Sequence, residues 1–298
     1  MSSISSESAR GTVAYTWRDK LYGYLSLARV SNSPTVVSNA VAGAALAGIV
    51  TFNVDVVWIA LSMVLFYTAG MYLNDILDYE IDMQERAERP LTTGLISMRA
   101  AVIVTGVLFA VALALLLLVN WRAFIGGIFL TGTIVLYDAW HKKNPLSPVI
   151  MGANRALVYL TAFVAFTASF TGGVLWAAGL LWVYIIALTF VAKSETQTSF
   201  SRYWPVALVL APAAYFAVQL ISTPAWLLLV AVFIGWTLYS TTFIYQKKQI
   251  GGGVVRLIAG ISLFDAMALA ATGWIGGVVI ALACFGLTLF FLRYIAGT

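Results

Sequence analysis

Charged residues are scarce in this sequence. Asp, Glu, Lys and Arg together make up 10% of the chain, whereas apolar residues make up 61%. Soluble globular domains carry about 25% charged residues, so this composition excludes an ordinary soluble domain. The formal net charge of +5 does not indicate nucleic-acid binding, because the basic residues are scattered between apolar segments. Such scatter is typical of the loops of a membrane protein.

Several sequence features that would direct the interpretation elsewhere are also missing. Cys284 is the only cysteine, which excludes an internal disulfide framework. The first twenty residues contain no apolar segment of the signal-peptide type, so no cleavable signal is expected. Glycine-rich nucleotide-binding patterns of the Walker or dinucleotide type are absent as well. We expect the lipid bilayer as a partner and no nucleic acid.

Long apolar runs recur along the whole chain, at lengths suited to a hydrocarbon core about 30 Å thick. We place nine spans at residues 33–51, 55–74, 101–120, 122–138, 148–170, 173–192, 204–221, 225–245 and 255–292. The last run is too long for one span and is either one tilted helix or a helix pair broken near Gly273–Gly277. We favour nine spans, with 254–272 partly re-entrant or 274–295 as the true span. The predicted fold class is an all-α, polytopic membrane bundle.

Basic residues predict the orientation of the bundle. Most Lys and Arg residues precede the first span or follow the second, fourth, sixth and eighth spans. Only Arg122 and Arg293 fall on the other side. By the positive-inside rule, the amino terminus and the even-numbered loops are cytoplasmic. We expect residues 1–24 to form a polar cytoplasmic tail and residues 25–298 to form the transmembrane domain.

The most informative stretch follows the second span and contains regularly spaced acids. Asp75, Asp78 and Asp82 lie at positions i, i+3 and i+7, with Asn74 one turn before Asp78. On a helix, this spacing places all four side chains on one face. Carboxylates so close repel one another and need a compensating cation. Their oxygens suit Mg²⁺, which is commonly shared with substrate phosphates.

Two arginines follow the acids directly. Arg86 and Arg89 belong to the residue type that binds phosphate oxygens, and Gly94 is typical of a turn. The segment is either a solvated acidic loop that caps a span or a Mg²⁺–diphosphate site at the membrane boundary. The acids' common face favours the diphosphate site.

The acid spacing resembles the first Asp-rich motif of the UbiA-type intramembrane prenyltransferases, NDxxDxxxD followed by RPL and a glycine. The matching residues are Asn74, Asp75, Asp78, Asp82, Arg89, Pro90, Leu91 and Gly94. The resemblance covers about residues 25–295 and is highly specific only in this motif. It implies nine spans around a central cavity that opens laterally to lipid. It also implies Mg²⁺-dependent transfer of a prenyl group from a polyprenyl diphosphate to an acceptor, often aromatic.

Other positions carry the resemblance more weakly. The metal ligands it implies are Asn74, Asp75, Asp78 and Asp82. The implied diphosphate-binding residues are Arg86, Arg89, Lys142, Lys143 and Arg155. The implied substrate-binding residues are Arg29, Asn39, Tyr137, His141, Asn154 and Glu195. His141 either lines the phosphate site or serves as an acid or base at neutral pH.

The segment after the sixth span departs from the family, which carries two aspartates four residues apart there. This chain has Val191 and Glu195, with Lys193 between them. Either Lys193 contacts the diphosphate as a fixed cation in place of a second Mg²⁺, or the site binds a diphosphate lipid with lost or changed chemistry. The pattern is similar to the divergent EboC-like branch of the family.

The predicted function is therefore that of a Mg²⁺-dependent membrane prenyltransferase. Its expected catalytic residues are Asp75, Asp78, Asp82 and Lys193. The alternative is non-catalytic binding or transport of a diphosphate-linked lipid. Asp265 lies in an apolar span, where an ionisable residue is costly. It either binds the acceptor, pairs with Arg256 or makes structural hydrogen bonds.

Overall fold

The computed structural model describes residues 15–142, 144–193 and 204–295, with the backbone alone for residues 192 and 193. Within these ranges the regular structure is α-helix with short 3₁₀ turns, as the predicted all-α class requires. The helices are α1 (Trp17–Leu27), α2 (Ser33–Leu46), α3 (Val54–Leu77), α4 (Tyr79–Glu85), α5 (Met98–Val119), α6 (Trp121–Trp140), α7 (Ser147–Val164), α8 (Gly172–Lys193), α9 (Trp204–Gln219), α10 (Leu227–Tyr245), α11 (Ile250–Ala271) and α12 (Ile275–Phe291).

Within the described ranges, seven helical segments are long and apolar enough to cross a membrane. They are α3, α5, α6, α7, α8, α11 and the segment Pro224–Tyr245, which includes α10. Helices α9 and α12 are apolar but shorter. Helix α1 lies outside this set and keeps Trp17, Leu21 and Tyr22 at least half exposed. These lengths and compositions are those of a multi-pass membrane protein.

The carboxyl-terminal run forms two helices, so one tilted helix over 255–292, the first of the two readings of this run, is wrong. Helix α11 is continuous over 22 residues, which also excludes a re-entrant segment there. Gly273 lies between α11 and α12 with φ at 76°, a left-handed conformation that glycine adopts without strain. The helix pair, the alternative considered for this run, is what forms.

Helix α12 returns the chain to the end of the bundle that holds Arg29. Its contacts include the 3₁₀ turn Val30–Asn32, which follows Arg29 directly. Arg293, just beyond α12, therefore lies at that end. A single last span had predicted it at the opposite end, and that prediction is wrong. Arg122 remains at the other end, at the start of α6. The asymmetry of positive charge is thus stronger than the predicted nine-span topology implied.

Helix α2 occupies the centre of the bundle. It packs against α3, α7, α11 and α12, and nearly all of its residues are buried. Small residues allow this close packing. A Cβ atom at Gly43 would lie 2.5 Å from the carbonyl oxygen of Tyr159 on α7. With 14 residues, α2 is about 21 Å long, shorter than the span predicted over 33–51.

Two apolar cores flank α2 and α7. One is built mainly from α8 to α12, and the other mainly from α3, α5 and α6, while α2 and α7 contribute to both. A central cavity lies between them, lined by residues of α2, α3, α6, α7, α8 and α11 and of the turn before α2. The arrangement provides the central cavity that the resemblance implied.

Candidate functional site

The Asp-rich segment begins on the last turns of α3 and continues into α4. Asn74 and Asp75 belong to α3, Asp78 lies at the junction, and Asp82 belongs to α4. Helical hydrogen bonds cross the junction, since Asp78 N–H donates to Asn74 O at 2.9 Å and Asp82 N–H donates to Asp78 O at 2.8 Å. The four side chains therefore stay on adjacent turns, and each is at most 9% exposed.

Arg89 holds two of these acids together. Its Nη1 lies 2.8 Å from Asp75 Oδ1 and 2.5 Å from Asp82 Oδ2. Arg29 adds a second cation, with Nη2 at 3.3 Å from the same Asp75 oxygen. One nitrogen between two carboxylates offsets their repulsion in the way a bound cation would. Arg89 N–H donates to the carbonyl oxygen of Arg86, the residue that caps α4, at 3.1 Å, so a local turn keeps Arg89 close to α4.

Asp78 faces two further side chains, which follow the end of α6 directly. His141 Nε2 lies 3.4 Å and Lys142 Nζ 3.3 Å from Asp78 Oδ2. The other ring nitrogen of His141 is 3.1 Å from the carbonyl oxygen of Asp138. A carbonyl only accepts, so Nδ1 carries a hydrogen in this arrangement. The ring also stacks on Tyr137, with centroids 5.2 Å apart, which fixes its orientation.

Three adjacent cavities extend from the charged groups into the bundle interior. A polar cavity of about 210 Å³ is lined by Arg29, Asn74, Asp78, Asp82, Glu85, Arg86, Arg89, Tyr137, His141 and Lys142. We call this set the charged mouth. A wider cavity of about 700 Å³ shares Arg29 and Tyr137 with it. The central cavity, about 130 Å³, shares Tyr137 and Tyr67 with the wider one and is otherwise mostly apolar.

The charged mouth has the donor chemistry for Mg²⁺. Three carboxylates and one carboxamide supply hard oxygen ligands within one buried cluster. In the part of the chain that the structure describes, no three acidic, histidine or cysteine side chains are already grouped around a possible metal position. Arg89 Nη1 stands between Asp75 and Asp82 instead. The residues fit the ion, and its binding between these two carboxylates requires Arg89 to move.

The remaining site residues predicted from the sequence lie in different places. Arg86 is exposed and lines the charged mouth and the wider cavity. Asn154 and Arg155 line the central cavity instead of the charged mouth. Asn39 is fully buried beside Arg155. Lys143 and Glu195 lie outside the described residues, as does the side chain of Lys193. The roles assigned to all these residues stay predictions.

The structure adds two residues that the predicted site left out. Tyr67 lines both inner cavities and donates from its hydroxyl to the Arg29 carbonyl oxygen at 3.3 Å. Asp138 lines the central cavity and accepts from Asn74 Nδ2 at 3.3 Å. Tyr67 precedes Asp75 by eight residues, about two helical turns, which was a usable signal. From the sequence, Asp138 follows Tyr137 directly and either completes the polar ring of the site or caps the helix.

Asp265 forms a separate polar cluster inside the bundle. It is 0% exposed and accepts hydrogen bonds from Ser38, Asn39 and Tyr159. The pairing with Arg256 considered from the sequence is wrong. Arg256 donates to the Gly252 carbonyl oxygen at 2.6 Å and lies over the Phe243 ring, 3.8 Å from its centroid.

The comparison with family models identifies the class of this protein. The model of the UbiA prenyltransferase family matches residues 36–199, more than half of the chain. The chain therefore belongs to the UbiA prenyltransferase family. Together with the seven apolar helices, this makes it an integral, multi-pass membrane protein. The EboC-like branch stays a prediction.

Two curated relatives illustrate the sequence similarity. A digeranylgeranylglyceryl phosphate synthase of Thermococcus gammatolerans is 40% identical over 112 residues, which are 38% of this chain and 39% of the relative. A 4-hydroxybenzoate octaprenyltransferase of Saccharophagus degradans is 31% identical over 157 residues, 50% of this chain and 51% of the relative. The matched region thus spans about two fifths to one half of each relative.

Solved structures show the same fold over more of the chain. A UbiA homologue from Aeropyrum pernix K1 aligns with a TM-score of 0.63 and 20% identity, over 80% of this chain and 97% of that one. A UbiA homologue from Archaeoglobus fulgidus, bound to DMAPP and Mg²⁺, aligns with a TM-score of 0.56 and 18% identity, over 84% and 99%. At this identity the likeness establishes the fold.

Proposed function

We propose that this chain transfers a prenyl group from a prenyl diphosphate to a small aromatic or lipophilic acceptor within the membrane, with Mg²⁺ as cofactor. The proposal rests on one observation: the charged mouth lies beside an apolar central cavity, and Tyr137 lines both. A prenyl diphosphate has the same two halves, a highly charged head and an apolar chain. The proposed active site faces the cytoplasm, where the positive-inside rule puts this basic end.

The charged mouth is proposed to bind the diphosphate head. Arg86, Arg29 and Lys142 border its cavity and present cations to phosphate oxygens. Negative charge grows on the diphosphate as the allylic C–O bond breaks, and fixed cations stabilise that charge. Mg²⁺, held by Asn74, Asp75, Asp78 and Asp82, would supply further charge neutralisation and make the diphosphate a better leaving group.

The central cavity is proposed to hold the prenyl chain beside the acceptor. Its lining includes Met63, Phe66, Leu130 and Ile134, which exclude water from the reacting carbon. A ring face such as that of Tyr67 stabilises a passing allylic cation. The acceptor's carbon or oxygen then forms the new bond and gives up its proton, which leaves with the diphosphate through the charged mouth.

The names of the relatives support this substrate class. One relative is a 4-hydroxybenzoate octaprenyltransferase, and the Archaeoglobus fulgidus neighbour is bound to DMAPP and Mg²⁺. We use these chemistries as the first substrates to test on this chain.

The test is release of inorganic diphosphate by the purified protein in nanodiscs. The assay supplies Mg²⁺, prenyl diphosphates of several lengths and a panel of acceptors that includes 4-hydroxybenzoate and a geranylgeranylglyceryl phosphate. Asp78→Ala should lower acceptor-dependent release at least about 100-fold, the effect of losing one electrostatic contact in a buried site (~3 kcal/mol). Glu80→Ala is the matched control, because Glu80 is an exposed acid two residues away.

Three outcomes are informative. Acceptor-dependent release that is lost in Asp78→Ala and kept in Glu80→Ala supports the transferase. Mg²⁺-dependent binding of prenyl diphosphate without release supports the alternative, a protein that binds or transports a diphosphate-linked lipid. Near wild-type turnover in Asp78→Ala contradicts the role proposed for the Asp-rich segment.

A further inference from the structure

We propose that Asp265 positions Arg155 through the side chain of Asn39, and that Arg155, held in this way, binds a negatively charged substrate oxygen in the central cavity. The inference rests on the proposed function, because it assumes that the cavity receives substrate. It assigns a role to Asp265, a buried acid that takes no part in the proposed diphosphate chemistry.

Asp265 determines the orientation of the Asn39 amide. The nitrogen of a carboxamide only donates hydrogen bonds, and the oxygens of a carboxyl group accept them. Asn39 Nδ2 lies 2.9 Å from both oxygens of Asp265, while the hydroxyls of Ser38 and Tyr159 donate to the same carboxylate. The nitrogen of Asn39 must therefore face Asp265, and its oxygen faces the other way, towards α7.

That amide oxygen in turn holds Arg155. Arg155 Nη1 donates to Asn39 Oδ1 at 2.9 Å, and the guanidinium carbon lies 5.7 Å from the ring centroid of Tyr67. This is the one hydrogen bond from the Arg155 side chain to any residue that the structure describes. A guanidinium has five N–H donors, so four remain. Arg155 keeps accessible surface and lines the central cavity, which makes those donors available to a ligand.

The intervening amide separates Arg155 from its counter-charge. Arg89 in the charged mouth contacts two carboxylates directly, whereas Arg155 reaches the carboxylate of Asp265 only through Asn39. The interior acid therefore compensates the buried positive charge without covering the guanidinium. An arginine arranged in this way is suited to bind an incoming anion, since planar guanidinium groups bind carboxylate and phosphate oxygens in pairs.

Two substrates could supply that oxygen, and the position of Arg155 favours one. Arg155 lines the central cavity but not the charged mouth or the wider cavity. The diphosphate belongs at the mouth, so the ligand of Arg155 is an acidic group on the acceptor. The other source, the diphosphate itself, is distinguished by which substrate's KM changes.

The test exchanges the side chains of Asn39 and Asp265. Asn39→Asp and Asp265→Asn are made separately and together, so that the double variant keeps the net charge and the hydrogen-bonding atoms of the pair. It brings a carboxylate against Arg155 directly. Ser262→Ala is the matched control, because Ser262 contacts only the Ser38 hydroxyl of this cluster, at 3.0 Å. Each protein is assayed for thermal unfolding and for the KM and kcat of both substrates.

We expect each single variant to unfold at a lower temperature and the double variant to recover most of that loss. The double variant should nevertheless keep a KM at least tenfold above wild type for an acidic acceptor, with kcat little changed. The KM for the uncharged amide of the same acceptor, such as 4-hydroxybenzamide beside 4-hydroxybenzoate, should not move. Ser262→Ala should match wild type in all KM values.

A double variant that recovers wild-type KM together with its stability overturns the inference, because the cluster is then only structural. A raised KM for the prenyl diphosphate alone assigns Arg155 to the diphosphate and overturns the acceptor assignment. Absence of diphosphate release by the wild type with every acceptor counts against the proposed function itself, and the inference fails with it.

Discussion

The molecule balances buried acids in two different ways. In the charged mouth, Asp75, Asp78 and Asp82 contact arginine, lysine and histidine side chains directly. In the interior, Asp265 is surrounded by hydroxyl and amide donors, and no basic side chain of the described chain contacts it. These four aspartates are each at most 6% exposed.

The difference follows from whether the contacts of the acids have to be replaced when a ligand binds. Long basic side chains can leave a carboxylate when a metal ion or a diphosphate arrives, so ion pairs at the mouth are replaceable. Short hydroxyl and amide groups on packed helices cannot move away, so the cluster around Asp265 is fixed. We expect substitutions in the interior to cost stability and substitutions at the mouth to cost activity.

The largest stability effect should come from the interior. Asp265→Ala removes the acceptor for three buried donors and leaves the charge of Arg155 uncompensated, which should cost about 3–5 kcal/mol of unfolding free energy. Asp55→Ala at the start of α3 should cost about 1 kcal/mol or less, as expected for an acid near a helix amino terminus. Thermal unfolding in one detergent compares the two, and equal shifts would contradict the proposed difference between regions.

At the mouth, Asp78→Asn should separate activity from stability. We expect diphosphate release to fall about 100-fold, because the neutral amide is a weaker metal ligand (~3 kcal/mol). The unfolding free energy should change by about 1 kcal/mol or less, since one partner of Asp78, Lys142, is 42% exposed. A stability loss as large as that of Asp265→Ala would show that this acid is structural too.

The interior cluster also depends on the close contact of α2 with α7. Gly43→Ala would place a methyl group 2.5 Å from the carbonyl oxygen of Tyr159, so the two helices must separate at a cost of about 1–3 kcal/mol. Gly106→Ala in α5 has no neighbouring atom within 4 Å and should be neutral or stabilising by up to about 1 kcal/mol. The measurement is again thermal unfolding, and similar losses in both variants would exclude the packing explanation.

The smallest effect should come from Lys142. Lys142→Ala removes a half-exposed ion pair with Asp78 and should change the unfolding free energy by about 1 kcal/mol or less. Any loss should shrink as salt is raised, because exposed charges are screened. A larger, salt-independent loss would mean that this pair is as fixed as the interior cluster. Lys142→Gln repeats the test with the side-chain length nearly kept.

The sequence was most informative where one helix carried the whole signal. Asn74, Asp75, Asp78 and Asp82 come together through helical spacing alone, and the structure places them on adjacent turns. It was less informative at residues 255–292, because hydropathy gives the total length of an apolar run but not where a short turn at Gly273 divides it.

Contacts between distant segments could not be predicted from the residue pattern of any one segment. The separation of Arg155 from the charged mouth depends on how α7 is rotated against α2, α6 and α8, and side-chain packing sets that rotation. The packing of separate helices also decides the partners of Asp265. The sequence offered Arg256 in the same segment, although the spacing does not place it on the face of Asp265, whereas the actual partners, Asn39 and Tyr159, come from two other helices.

The sequence by itself therefore determined the membrane environment, the helical class and the acidic segment, because these follow from composition and from the 3.6-residue period of one helix. Only the tertiary structure decided that Arg89 bridges two acids, that Tyr137 borders both a charged and an apolar cavity, and that Asp265 reaches Arg155 through Asn39. The contacts of Asp265, Asn39 and Arg155 join residues far apart in the chain, and the packing of α2 at the centre of the bundle brings them together.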